Sequence, residues 1–154
     1  MQIGVFGPHA DEIVLTPEML QLISALNAAG RHISLVAIPS QASWGKASSD
    51  LVKAVYDDHV LALIALDRAS SHLAEQIAVK AFVPVLAISS DRMLTSTNIP
   101  WIFRMPEGTL VQEAVSFLSA AIDRSGPNRA EIRKVLASGK PVTGVRFDPT
   151  GEAQ

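Results

Sequence analysis

Short apolar runs alternate with amphipathic stretches along most of the chain, and this alternation restricts the fold more than any other feature. Five of the runs are predicted strands: QIGVFG, HISLVAIP, VLALIAL, VPVLAIS and WIFRMP. The first intervening stretch carries a clear helix start, with Thr16 as the N-cap and Pro17 at the first helical position. Strands that alternate with helices need right-handed crossovers, which make neighbouring strands parallel. The sequence therefore predicts a doubly wound, mostly parallel five-stranded α/β sheet with helices on both faces.

The last third of the chain predicts two more helices and a short tail. The stretch TLVQEAVSFLSAAIDRSG opens with a possible capping box at Thr109 and Gln112, and NRAEIRKVLASG repeats the device at Asn128 and Glu131. The following VTGVRFD is typical of a short strand or hairpin. No repeat, linker or low-complexity stretch interrupts the pattern, so we expect residues 1–154 to form a single domain.

Composition excludes several classes of function. The chain has no cysteine, and its formal net charge of −2 comes without a basic stripe, which argues against nucleic-acid binding. No apolar run reaches the roughly 18–20 residues needed to span a bilayer, so we expect no membrane insertion. Gly7 and Pro8 follow the first strand where a Gly-rich phosphate loop would stand, and no nucleophile elbow is present. These observations predict a protein that is not an enzyme and carries no metal or cofactor.

Polar residues follow the third and fourth predicted strands, in the segments DRASSH and SSDRMLT. In open α/β sheets, ligands bind outside the carboxyl ends of the strands, where these segments should meet. Ser70 and Ser71 stand at a predicted helix N-terminus, which favours an anion such as a carboxylate, and Ser89 and Ser90 add hydroxyl groups. Serines at such positions also act as helix caps and turn residues, so the pattern alone leaves both interpretations open.

A phospho-receiver domain is an alternative with the same architecture. Asp67 at the end of the third strand and Ser89 or Ser90 after the fourth fit that interpretation. The receiver site also requires an acidic pair after the first strand and a lysine after the fifth. This chain has Gly7 at the first position and Arg104 in the fifth strand. The similarity therefore concerns the architecture more than the site.

Several longer runs resemble the first lobe of type 1 periplasmic solute-binding proteins, in particular the branched-chain amino acid group of ABC transporters. The runs are VYDDHVLALI, ASSHLAEQIAVKAFVPV and LTSTNIPWIFR, and IGVFGP and NAAG near the start also fit. The tail NRAEIRKVLASGKPVTGVRFDPTGEAQ resembles the far C-terminus of the same proteins. The resemblance implies that residues 1–107 correspond to the N-terminal part of lobe one. Residues 108–154 would then be the C-terminal segment that packs back onto it.

The resemblance also implies a site and a function. By position, the ligand's α-carboxylate and α-amino groups would be held by the loops after strands three and four, through five residues: Ala69, Ser70, Ser71, Ser89 and Ser90. The family closes two lobes around its ligand, whereas this chain resembles one lobe. We therefore expect a non-enzymatic lobe that binds an amino acid or related small carboxylate weakly, or as a homodimer. An interaction or scaffold module that has lost the site is the alternative.

Partners and location follow from the same resemblance. A membrane transporter or receptor is the expected partner of such a protein, and the periplasm its expected location. The chain starts without a signal-peptide pattern, because MQIGVFGP leads directly into a strand. A native start at Met1 would instead leave the protein in the cytoplasm.

Overall fold

A computed structural model describes residues 1–40 and 43–154 and contains one five-stranded sheet. All of its strand pairs are parallel, and the order is β2-β1-β3-β4-β5. The strands are β1 (Gln2–Gly7), β2 (Ser34–Pro39), β3 (Ala62–Ala65), β4 (Val85–Ile88) and β5 (Ile102–Met105). The predicted doubly wound α/β class is confirmed. β3 and β4 are buried along their whole length, as strands covered on both faces should be.

The described residues contain seven helices, arranged on both faces of the sheet. They are α1 (Ala10–Ile13), α2 (Pro17–Ala28), α3 (Trp44–Tyr56), α4 (Arg68–Ala81), α5 (Met93–Ser96), α6 (Val111–Ser125) and α7 (Arg129–Ala137). One core cluster joins the sheet to α3 and α4, and a second joins it to α2, α6 and α7. We call these the α4 face and the α6 face. None of the helices in the described ranges has the length and apolarity needed to cross a bilayer.

N-cap side chains start α2 and α7 as predicted, although the Asn128 amide bonds the Gly126 carbonyl instead of the Glu131 carboxylate of a full capping box. The Thr16 hydroxyl accepts a hydrogen bond from the Met19 amide, and the Asn128 side chain accepts one from the Glu131 amide. The predicted capping box at Thr109 is wrong. The Thr109 amide bonds the Pro106 carbonyl in a turn, so the helix starts one residue later, and the Glu113 carboxylate accepts from the Leu110 amide.

The C-terminal tail packs against the edge strand β5. The Phe147 ring lies against Phe103 of β5 and Phe117 of α6, with ring centroids 5.2 and 5.7 Å away. The backbone of the tail forms antiparallel bridges between residues 142 and 145 and between 147 and 153, which fits the predicted hairpin. The Arg104 amide also donates to the Gly151 carbonyl at 2.7 Å. The tail therefore covers one exposed edge of the sheet.

Candidate functional site

The loops after β3 and β4 meet at the carboxyl edge of the sheet because neighbouring parallel strands end on the same side. Ala69 and Ser70 lie in the first turn of α4, directly after β3. Ser89 and Ser90 follow β4, which is paired with β3. The structure thus brings the two predicted segments to one edge.

Asp67 is the N-cap of α4. The helix therefore begins at Arg68, two residues before the start at Ser70 that the sequence pattern predicts. The Asp67 Oδ1 atom accepts from the Ser70 amide at 2.8 Å. The Asp67 carbonyl accepts both the Ser71 amide at 2.9 Å and the Ser71 hydroxyl at 2.6 Å. Ser71 is fully buried, so its polar groups bond the protein itself. Within the described ranges, the amides of Arg68 and Ala69 have no hydrogen-bond acceptor, as expected for the first residues of a helix.

Ala69 and Ser70 line a cleft of about 180 Å³ at this edge, on the α4 face of the sheet. The remaining lining residues are Phe6, Ser40, Trp44, Ala47 and Leu73. The Ser70 hydroxyl lies 3.3 Å from the hydroxyl of Ser40, which follows β2. The cleft therefore combines the first turn of α4 and two serine hydroxyls with an apolar wall, and Trp44 stands at its rim with 69% of its surface exposed.

Ser89 and Ser90 differ in their surroundings. Ser89 is buried; its hydroxyl accepts from the Asp91 amide, and its carbonyl accepts from the Arg104 guanidinium at 2.7 Å. Ser90 is exposed. Neither residue lines the 180 Å³ cleft. The buried hydroxyl of Ser89 thus orders the loop after β4, and the Ser90 hydroxyl is the accessible one of this pair.

Asp91 links the two loops, although it is not among the predicted site residues. Its Oδ2 atom accepts from Arg68 Nε and lies 2.8 Å from His72 Nε2, both in α4. The hydrogen bond with His72 contributes most to lowering the pKa of the Asp91 carboxyl group, followed by the bonds with Arg68 and the Met93 amide. The sequence signal for this contact is the opposite charge of Arg68 in DRASSH and Asp91 in SSDRMLT. The contacts of Asp91 with Arg68 and His72 hold the loop after β4 against the start of α4.

The Arg104 and Glu152 side chains form an ion pair that joins β5 to the tail. Both are mostly buried, and the Thr95 hydroxyl also donates to the Glu152 carboxylate. The hydrogen bond from Arg104 is the main cause of the lowered pKa of Glu152. Arg104 is therefore paired with a carboxylate and with the Ser89 carbonyl, so its guanidinium serves structural contacts.

The geometry also disfavours the receiver interpretation at Asp67. Its carboxylate caps α4, and β1 ends at Gly7 without an acidic pair. Among the residues that the structure describes, no group of three or more His, Asp or Glu side chains could hold a metal ion. The residues at these strand ends therefore do not match the positions of a receiver site.

No protein-family model and no curated protein sequence matches the chain. Solved structures do. A substrate-binding protein of an ABC transporter from Desulfitobacterium hafniense, in complex with leucine, matches with a TM-score of 0.58 and 21% identity. The branched-chain amino acid transporter substrate-binding protein LivJ from Streptococcus pneumoniae, in complex with isoleucine, matches with a TM-score of 0.53 and 20% identity. A periplasmic binding protein from Burkholderia mallei matches with a TM-score of 0.52 and 17% identity.

The matches cover most of this chain but less than half of each solved chain. They span 81%, 68% and 87% of this chain, and 37%, 33% and 43% of the three proteins in the same order. At these identities the likeness concerns the fold. The fold is that of a single lobe of a type 1 periplasmic binding protein, as the resemblance in the sequence indicates.

Proposed function

We propose that the chain is a non-enzymatic lobe that binds an amino acid or a related small carboxylate, in the manner of the periplasmic component of an ABC transporter. One observation carries this proposal. Ala69 and Ser70 line a cleft at the N-terminus of α4, where the amides of Arg68 and Ala69 have no acceptor in the described part of the chain. A carboxylate is the small anion that these donors and the positive end of the helix dipole suit.

The rest of the cleft supports an aliphatic amino acid. The Phe6 and Leu73 side chains are buried beside Ser70 and provide apolar contact area, and Trp44 can extend it. Two of the matched solved proteins hold leucine and isoleucine. We therefore place the α-carboxylate at the α4 amides and the branched side chain against the apolar wall. Ser71 and Ser89 would position the two loops, and Ser90 would be the hydroxyl offered by the loop after β4.

Binding by one lobe should be weak, because the cleft is small and open. Ligand sites usually enclose about 300–1,000 Å³ and bury most of the ligand, whereas this cleft has about 180 Å³. Three large side chains at or near this edge are mainly exposed: Trp44 at 69%, Met93 at 62% and Leu110 at 58%. Each begins or precedes a helix that follows a strand. We infer that a second copy packs on this edge and encloses the ligand. The same proposal places the protein in the periplasm, with a membrane transporter or receptor as partner.

A thermal-shift titration with leucine and two truncated analogues tests the site. 4-Methylpentanoate keeps the carboxylate and side chain of leucine but lacks the amine, and 3-methylbutylamine lacks the carboxylate. A ligand at 100 times its dissociation constant stabilises a fold by about 2.7 kcal/mol, or roughly 5–10 °C for a domain of this size. We expect leucine and, more weakly, 4-methylpentanoate to bind at the cleft.

Ala69→Glu and Ala130→Glu make a matched pair for this titration. Both alanines are exposed and occupy the second position of a helix, α4 and α7 respectively. A carboxylate at residue 69 would repel the ligand, so A69E should remove the stabilisation by leucine, while A130E should keep it. A wild-type protein that responds to no amino acid would overturn the proposal and favour an interaction module that has lost the site. Equal binding by both variants would place the ligand elsewhere.

A further inference from the structure

A second and larger cavity lies between the end of β5, α6 and the C-terminal tail. It has a volume of about 600 Å³, within the range of about 300–1,000 Å³ typical of small-molecule sites. Its walls come from Met105 at the end of β5, from Glu113, Ser116 and Phe117 of α6, and from Val145 and Ala153 of the tail. We propose that this cavity binds a small amphiphile with an apolar body and a cationic or neutral polar head group.

The cavity is separate from the cleft at α4. The two share no lining residue. Met105 and Phe117 belong to the core of the α6 face, whereas Phe6 and Leu73 of the cleft belong to the core of the α4 face. The sheet therefore lies between the two sites. The inference does not depend on the proposed binding of amino acids.

The interior of the cavity is apolar. The Met105 and Phe117 side chains are buried at 5% and 2% exposure, and Val145 and Ala153 add apolar surface from the tail. An aliphatic chain that enters it would lose water contact against these side chains, which gives the main gain in free energy. The soft Met105 side chain can adapt to the shape of the occupant.

The polar part of the lining selects the head group. Glu113 is the charged side chain among the described residues that line the cavity, and no Lys, Arg or His is present there. Its Oε2 atom accepts from the Leu110 amide, and its other carboxylate oxygen can accept from a ligand. Gln112 and Ser116 can bond a hydroxyl group. This lining favours an ammonium or alcohol head and disfavours a carboxylate, the opposite of the preference proposed for the cleft.

Three six-carbon probes test the proposal: n-hexylamine, 1-hexanol and hexanoate. Each is titrated into the ¹⁵N-labelled full chain, and amide chemical shifts report where it binds. We expect hexylamine and hexanol to shift amides of α6 and of residues 142–154, with hexylamine binding most tightly and hexanoate least. Shifts confined to the start of α4, or hexanoate binding as tightly as hexylamine, would overturn the assignment.

Variants separate the cavity from nonspecific binding. Ser116→Leu and Ala153→Leu fill it from two different elements, so one remains informative if the other fails to fold. Each should weaken hexanol binding at least about tenfold, while Ala130→Leu, an exposed site outside the cavity, should leave it unchanged. Glu113→Gln keeps an acceptor for the Leu110 amide and should weaken hexylamine about two- to fivefold but not hexanol, as expected for one exposed charge. Unchanged binding in both filled variants would refute the site.

Discussion

Gly151 connects the tail to the edge strand through a backbone conformation that other residues rarely adopt. Its φ angle is +93°, its carbonyl accepts from the Arg104 amide, and a Cβ atom there would overlap the Ile102 carbonyl oxygen. Gly144 has a similar φ of +86° but open space around it. The two glycines therefore share the backbone requirement and differ in the close approach of another backbone.

Replacing each of these glycines with alanine should separate the two effects. Gly144→Ala should lower the free energy of unfolding by about 1 kcal/mol, the usual penalty of a left-handed alanine. Gly151→Ala should cost about 1–3 kcal/mol more, because β5 or the tail must shift to admit the methyl group. Urea unfolding followed by circular dichroism measures both values. Equal losses would contradict the close approach of the tail to Ile102.

Single side chains also show why the site could be predicted only in part. The position of Ala69 and Ser70 at the cleft could be predicted, because a strand end followed by a helix start places them at the carboxyl edge. The internal bonds of Ser71 and Ser89 could not be predicted, since they depend on the Asp67 cap and on the Asp91 turn. Whether the five predicted residues bind a ligand stays a prediction.

At the scale of elements, α7 is anchored by Arg129 at its first position. The guanidinium donates to the Val55 and Val60 carbonyls at 2.6 and 2.9 Å, and to Ala81 at 3.5 Å. Burial lowers the pKa of Arg129, but an arginine stays charged at any ordinary pH. One side chain thus joins the start of α7 to the ends of α3 and α4.

Arg129→Met should destabilise the fold because it removes the hydrogen bonds to the carbonyl groups at the ends of α3 and α4. It keeps much of the apolar stem but leaves up to three partly buried acceptors without their donor, which should cost about 1–3 kcal/mol. Arg133→Met, on the same helix, removes a solvent-exposed hydrogen bond to the Pro100 carbonyl and a contact with the Trp101 ring. It should cost less than about 1 kcal/mol. Similar losses in the two variants, measured by urea unfolding, would show that α7 is not anchored through Arg129.

The long elements were predictable because periodicity and capping agree in them, whereas short ones were not. α2 has Thr16, Pro17 and a repeating apolar face, and the structure starts the helix where these signals predict. α1 and α5 have four residues each, too few to show a helical period, so the sequence pattern does not predict them. The predicted start of α6 is one residue too early because a pattern at Thr109 and Gln112 overlaps with one at Leu110 and Glu113. The turn between Pro106 and Thr109 selects the later pattern.

At the scale of the whole molecule, the carboxyl edge of the sheet carries the cleft and three exposed apolar side chains that follow strand ends. The helices fill both faces of the sheet, and the tail covers the β5 edge. At the carboxyl edge, the cleft residues Phe6, Ser70 and Leu73 are buried, whereas Trp44 at the rim is 69% exposed. Met93 and Leu110, which follow β4 and β5, are also mainly exposed. In the solved proteins that match, this chain accounts for less than half of the length. The proposed dimer would cover these exposed apolar side chains.

If a second copy covers this edge and buries the ligand, dimerisation and binding must be coupled. With free leucine at ten times its dissociation constant, each enclosed ligand should strengthen dimerisation about tenfold. Sedimentation velocity with and without leucine measures the change. Met93→Glu places a charge on the proposed interface and should shift the protein to monomer, whereas Val79→Glu, an exposed residue near the other end of α4, should not. A dimer that M93E leaves intact would place the interface elsewhere. A dimer that M93E disrupts but leucine does not affect would identify the edge as a scaffold surface without a ligand site.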